Sequence, residues 1–188
     1  MAMPEQSSYL AEGIVNSIGR LIRVSTNKTI VADGDYAAND VLSESKASGT
    51  AWEFKNCARA NGRGGYITRA SIIFSKNGGI TTITGRYSLL LFNATPTSNL
   101  NDNGANTAVL DADKALEIGR IDFPALSSYS AAGSPFSQCT PNTAGGLPLG
   151  FVCGSGETSI YGILVALDAE ANETASTIVT INLLIEQY

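Results

Sequence analysis

STIVTINLLIEQY, residues 176–188, places Thr177, Val179, Ile181, Leu183 and Ile185 at every second position, with Thr180, Asn182 and Glu186 among the residues between them. That period is the signature of a strand with one face buried. Its β-branched Val, Ile and Thr side chains are stiff at χ1 and crowd the turns of a helix, so a strand is the better reading. Just upstream, IYGILVAL (160–167) is short and apolar, and DAEANET (168–174) is a polar connection. The two runs read as a C-terminal hairpin.

The same period recurs outward from this end. Tyr66, Ala70, Ile72 and Phe74 share one parity, while Arg69, Ser71 and Ser75 take the other. Lys76-Asn77-Gly78-Gly79 is a tight-turn sequence, because Asn and Gly accept positive φ cheaply. It predicts a returning strand over Ile80–Thr84, β-branched throughout. Tyr87–Phe92 is almost wholly apolar and predicts a central strand packed on both faces. Further strands are expected at Leu21–Val24, Thr29–Val31, Trp52–Phe54 and Ile118–Phe123, with Trp52 and Phe54 in the core. The one helix candidate is LDADKALEIG (110–119), with Asp111 as N-cap and Gly119 as stop. Residues 127–150 are rich in Ser, Pro and Gly and read as a long loop. The expected class is all-β: an antiparallel β-sandwich or jelly roll with long loops and at most one short helix.

The chain has 188 residues, which fits one domain. The expected division is an N-terminal arm over 1–20 and a single β domain over 21–188. As an arm, the first segment would touch a neighbour through Met3, Pro4, Tyr9, Leu10 and Ile14; its alternative reading is a first strand of the domain's own sheet. Net charge is −5 and only 15% of residues are charged. No basic field is available for a phosphate backbone or an anionic membrane, so neither nucleic acid nor membrane is an expected partner. MAMPEQSSYLAEG lacks the basic start and apolar core of a secretory signal. Cys57, Cys139 and Cys153 are an odd set. They read as ordinary thiols, with a Cys139–Cys153 bridge as the alternative.

Histidine is absent. That removes the commonest general base, the commonest metal ligand and the Ser-His and Cys-His nucleophile systems. The acidic residues carry the remaining chemistry. Asp102, Asp111 and Asp113 lie close in sequence and are the candidate metal ligands, since calcium takes about six to eight oxygens from such loops. DADKAL breaks the EF-hand pattern at its fifth position, and NDNG (101–104) lacks further ligands. Turn chemistry accounts for the same residues without a cation, so no cofactor is expected. NGRGGY (61–66) fails both phosphate-loop patterns and precedes a strand, which leaves a turn. Asp33 and Asp35 form a carboxylate pair in sequence, or a turn before Val41, and no enzyme is expected from them. The three Asn-x-Thr matches, at Asn27, Asn93 and Asn172, count only in a secreted chain.

The order of segments carries a resemblance. ADGDYAANDVL (32–42) leads into FKNCARANGRGGYITRASI (54–72), then YSLLLFNATPT (87–97) and NDNGAN (101–106). LEIGRIDFPAL (116–126), IYGILVAL and TIVTINLLIEQY come after them. This order resembles small β-rich virion proteins of tailed bacteriophages, of the kind that decorate or cement the capsid. The resemblance implies a structural protein made in the bacterial host cytoplasm and bound to the capsid surface. Its implied partner is the major capsid protein, and its implied state is a homotrimer that bridges shell subunits without any small-molecule substrate. The alternatives from the residues are a tail, adaptor or head-fibre virion protein, and a carbohydrate-binding sandwich using aromatics such as Tyr129 or Phe136.

Overall fold

The computed structural model describes residues 19–31, 34–75, 83–128, 133–141, 146–171 and 176–188. Two antiparallel sheets pack face to face, and no described residue is helical. The first sheet is built from β1 (Arg20–Thr29), β10 (Ile178–Gln187), β4 (Gly64–Phe74) and β7 (Phe136–Cys139), in that order, with β8 (Leu149–Val152) also paired to β4. The second runs β2 (Val41–Leu42), β9 (Ile160–Ala166), β5 (Tyr87–Phe92) and β6 (Glu117–Phe123), with β3 (Trp52–Phe54) also paired to β9. The class read from the pattern is therefore the class observed.

Alternation decides which side chains enter the core. Thr177, Val179, Ile181, Leu183 and Ile185 are all fully buried, as their spacing requires. Val179, Ile181, Leu183 and Ile185 meet Leu89, Leu91, Ile121, Trp52, Phe54 and Leu164 from the other sheet in one cluster. Each large side chain buried this way stabilises the fold by about 1.5–3 kcal/mol.

β5 also packs on both sides. Its outward Phe92, with Val41, Ile163 and Val165, forms a second apolar cluster. Leu100, Ala108, Val109 and Leu116 lie over that cluster. The polar stretch after β5 is thus a roof on the outer face of the second sheet.

Four expectations from the sequence are corrected. β9 and β10 do not form a hairpin: β9 lies between β2 and β5 in one sheet, and β10 lies between β1 and β4 in the other. Alternation fixes which face of a strand is buried, but not which strand it pairs with. The region 110–119 is a set of turns up to Leu116 and then the start of β6, because Asp113 is used to hold the roof. The loop expected over 127–150 contains β7 and the start of β8. Finally, Tyr66 is exposed and Ile67 is buried. The ladder pairs Leu184 with Arg69 but Ile185 with Ile67, so Thr68 is an extra residue on β4. One inserted residue reverses the parity of everything beyond it.

The arm residues Met3, Pro4, Tyr9, Leu10 and Ile14 lie outside the described residues, as do the turn 76–79 and residues 80–82 of the expected returning strand. Ile83 and Thr84 are described and are not in a strand.

Candidate functional site

The three candidate metal ligands sit at the roof and do three different jobs. Asp113 is fully buried. Its Oδ1 accepts from the Thr97 amide and hydroxyl at 2.8 Å each, and its Oδ2 accepts from the Ser98 amide at 2.9 Å and hydroxyl at 2.6 Å. Burial pushes this carboxyl up, but the four bonds outweigh burial and hold it below the ordinary carboxylate value. Asp102 is buried too, and its Oδ1 accepts from the Tyr36 hydroxyl and the Ser43 amide, both at 2.8 Å. Asp111 points to solvent and pairs with Lys114 at 2.6 Å. Among the described residues no three His, Cys, Asp or Glu side chains gather as a metal site. The Asp/Asn-rich stretch is a set of clamps: Asn99 Nδ2 donates to the Ala105 carbonyl at 2.9 Å, and Asn101 Oδ1 accepts from the Gly49 amide at 3.1 Å.

The remaining candidates are scattered over the molecule. Asp33 and Tyr129 lie outside the described residues, Asp35 is exposed, and Phe136 is half-buried in β7. Cys57, Cys139 and Cys153 are separate buried thiols, and Cys139 and Cys153 are not bridged. Burial pushes Cys57 and Cys139 up to about 12 and Cys153 to about 11. NGRGGY is a turn running into β4, with Gly62 at a φ of +69°. A Cβ on Gly64 would lie 1.9 Å from the Phe151 carbonyl oxygen, and one on Gly65 would lie 2.2 Å from that of Glu186. These two glycines serve close strand packing rather than an anion.

They also open onto a groove of about 1090 Å³. Arg59, Arg63, Tyr66, Glu117, Val152 and Tyr188 are among its lining residues. Tyr66 is 47% exposed, Tyr188 47% and Val152 60%. The two tyrosine rings meet edge to face, with centroids 5.8 Å apart. Tyr66 is also wedged against Gly150, where a Cβ would lie 3.1 Å from Tyr66 Cε1. A hydrogen bond to Glu186 raises the Tyr188 phenol above its ordinary value. The groove escaped the sequence because five separate segments build it. Only the bulge at Thr68 turns Tyr66 outward, and no periodicity announces a bulge.

The groove lies at one end of the outer face of the first sheet. Cross-strand partners Leu21, Glu186, Tyr66 and Gly150 share that face. So do Arg23, Asn182 and Ser71: both the Nε and the Nη2 of Arg23 donate to Asn182 Oδ1, at 3.1 and 2.6 Å. Asn182 Nδ2 in turn donates to Ser71 Oγ at 3.3 Å. Leu21, Tyr66, Val152, Ile178 and Tyr188 are the exposed large apolar residues of this sheet and its end. The outer faces of the two sheets are therefore unlike, one roofed by the chain's own loop and the other presenting side chains to solvent.

No family model matches the chain, and no curated protein does. Among solved structures, the decameric capsid protein of BFDV aligns at 12% identity and a TM-score of 0.34, covering 89% of this chain and 98% of that one. The heated full particle of Israeli acute paralysis virus aligns at 11% identity and 0.28, covering 98% and 80%. Triatoma virus aligns at 11% identity and 0.25, covering 97% and 72%. Identities and scores this low carry no functional argument, so any functional reading rests on the chain's own geometry.

Proposed function

We propose that this chain is a structural virion protein that binds the outside of a phage capsid and stabilises it by bridging shell subunits. The observation that carries the reading is the unlike pair of outer faces. One is sealed by residues 93–116, while the other exposes Leu21, Tyr66, Val152, Ile178 and Tyr188 at the surface of an otherwise ordered sheet. Exposed apolar residues of this kind suit a protein partner. The clamping carboxylates Asp102 and Asp113, and the absence of histidine, support a scaffold rather than a catalyst.

In this reading the partner is the major capsid protein, the working unit is a homotrimer, and Met3, Pro4, Tyr9, Leu10 and Ile14 of an N-terminal arm add to the attachment. The chain acts by mass action, since a ligand that binds only the assembled lattice stabilises that lattice. Many modest contacts then sum over the shell. Quantitative mass spectrometry of purified virions tests the reading. A copy number of the same order as the shell subunit supports it. A far lower number assigns the chain to a tail or vertex, and absence from the particle overturns a virion role.

A further inference from the structure

We propose that the groove beside Tyr66 and Tyr188 is a binding site for an uncharged oligosaccharide. Aromatic exposure supports it first. Both tyrosines are half-exposed at the groove, and their rings meet at an interplanar angle of 88°. Two rings at a right angle form a corner, and the face of each ring is its negative part. The C–H groups of a sugar ring carry the complementary positive polarity. A pyranose therefore lies against such a face and turns its hydroxyls elsewhere. Neither ring has to be ordered first, because Tyr66 is wedged against Gly150 and the Tyr188 phenol donates to Glu186. Rings fixed in advance lower the entropy cost of binding.

Polarity supports it next. Arg59, Arg63 and Glu117 line the groove, and Glu186 adjoins it as the ladder partner of Tyr66. Charges of both signs oppose a ligand that carries a large net charge of its own. They suit hydroxyl groups, which accept from a guanidinium and donate to a carboxylate. Hydrogen bonds to charged groups are also the stronger kind. Shape agrees, since Gly62, Gly64, Gly65 and Gly150 place no side chain in the groove. Ligand pockets commonly measure about 300–1000 Å³. A groove of about 1090 Å³ thus has room for more than one sugar ring. Its walls include β4 and β8 of the first sheet and β6 of the second, and regular strands hold a site more firmly than loops. The groove takes in Tyr66, Val152 and Tyr188 but neither Leu21 nor Ile178. Sugar binding by the isolated chain does not depend on attachment to a shell, so each can fail without the other.

A glycan array probed with the full chain, followed by isothermal titration calorimetry, tests the proposal. The array carries neutral oligosaccharides of glucose, galactose, mannose and N-acetylglucosamine beside sialylated and sulfated ones. Decaproline is included as a peptide that also docks on aromatic rings. At least one neutral oligosaccharide is expected to bind with a Kd below about 1 mM. Its affinity is expected to change less than about twofold between about 50 mM and about 500 mM NaCl, since no net charge is paired. Tyr66→Ala is expected to weaken binding at least about tenfold, while Tyr66→Phe, which keeps the ring, stays within about threefold of the parent chain. Glu117→Ala is also expected to weaken binding about tenfold, and it replaces Tyr66→Ala as the deciding variant if that chain does not fold. Failure of every neutral oligosaccharide to bind overturns the proposal, as does binding confined to charged glycans or to decaproline. A steep loss of affinity with salt overturns it. Unchanged affinity in the deciding variant overturns it too, because the sugar then sits elsewhere.

Discussion

The Lys28 ammonium lies 5.5 Å from the centroid of the Trp52 ring, on the side of the sandwich where β1 faces β3. An inward-pointing lysine on an edge strand also discourages pairing with other chains. Its Nζ is 2.5 Å from Glu44 Oε2, and it donates to the Thr50 carbonyl and hydroxyl as well. Burial draws this ammonium below its ordinary value against the pull of Glu44.

Glu44 makes that corner sensitive to acid. Burial pushes its carboxyl up, but hydrogen bonds from Lys28, Thr50, its own backbone and Ser43 outweigh burial and hold it at about 2. The folded value lies below the unfolded one, so ionised Glu44 stabilises the fold above about pH 4.5. That stabilisation drains away as pH falls toward about 2. The side chain is partly exposed, and screening limits the effect to about 1 kcal/mol. Glu44→Gln is expected to lower the urea midpoint at pH 7, with the gap to the parent chain closing near pH 2. A gap that stays constant with pH disproves the assignment.

Asp113 holds the roof. Its replacement by Asn leaves one acceptor oxygen where two are in use and turns an amide group toward the donors of Thr97 or Ser98. The loss is expected to be about 2 kcal/mol, with Asp113→Ala at least as severe. Asp111→Ala, at a surface ion pair, is expected to change stability by less than about 1 kcal/mol. Denaturant midpoints of the three variants give the order directly.

The bulge at Thr68 makes an unusual pair of neighbours. Ile67→Ala is expected to cost about 2–4 kcal/mol, since it empties a fully buried site. Tyr66→Ala is expected to cost less than about 1 kcal/mol of folding stability. Thermal melts that reverse this order would place Tyr66 in the core, as an unbroken alternation requires.

The three thiols are expected to resist iodoacetamide at pH 8 in the folded chain, because burial keeps them protonated. In urea all three should label within minutes. Rapid labelling of one thiol in the native chain would show that the structure around it opens locally.

The legible part of the fold is the part that alternation can encode. The buried parity of β10, the two-faced burial of β5 and the placing of Trp52 and Phe54 could all be read from the sequence, because each depends on a strand's own residues. Partner choice could not. β9 and β10 are consecutive and apolar, yet the chain crosses between sheets after Leu167, with Glu170 tied back to Tyr36 and to the Gly85 amide. The helix expected at 110–119 is absent: Asp111, the expected N-cap, pairs with Lys114 at the surface, and Asp113 bonds backward to Thr97 and Ser98. Asp102, Asp111 and Asp113 are put to three different uses, because proximity in sequence says nothing about where a carboxylate points. The groove had no linear signal at all.

The placing of β10 between β1 and β4 also governs how the chain is made. Arg20 pairs with Gln187 and Thr29 with Ile178, so β1 waits for β10, the last of the described strands to be made. Until residues 178–187 have left the ribosome, β1 and β4 each keep an unsatisfied row of amides and carbonyls. Assembly of this sheet therefore waits for residues 178–187, and its long-range pairings make it slow. During that interval a nascent chain exposes the open edges of β1 and β4 and the apolar face of β4 to whatever lies nearby, and chaperone demand should be greatest then.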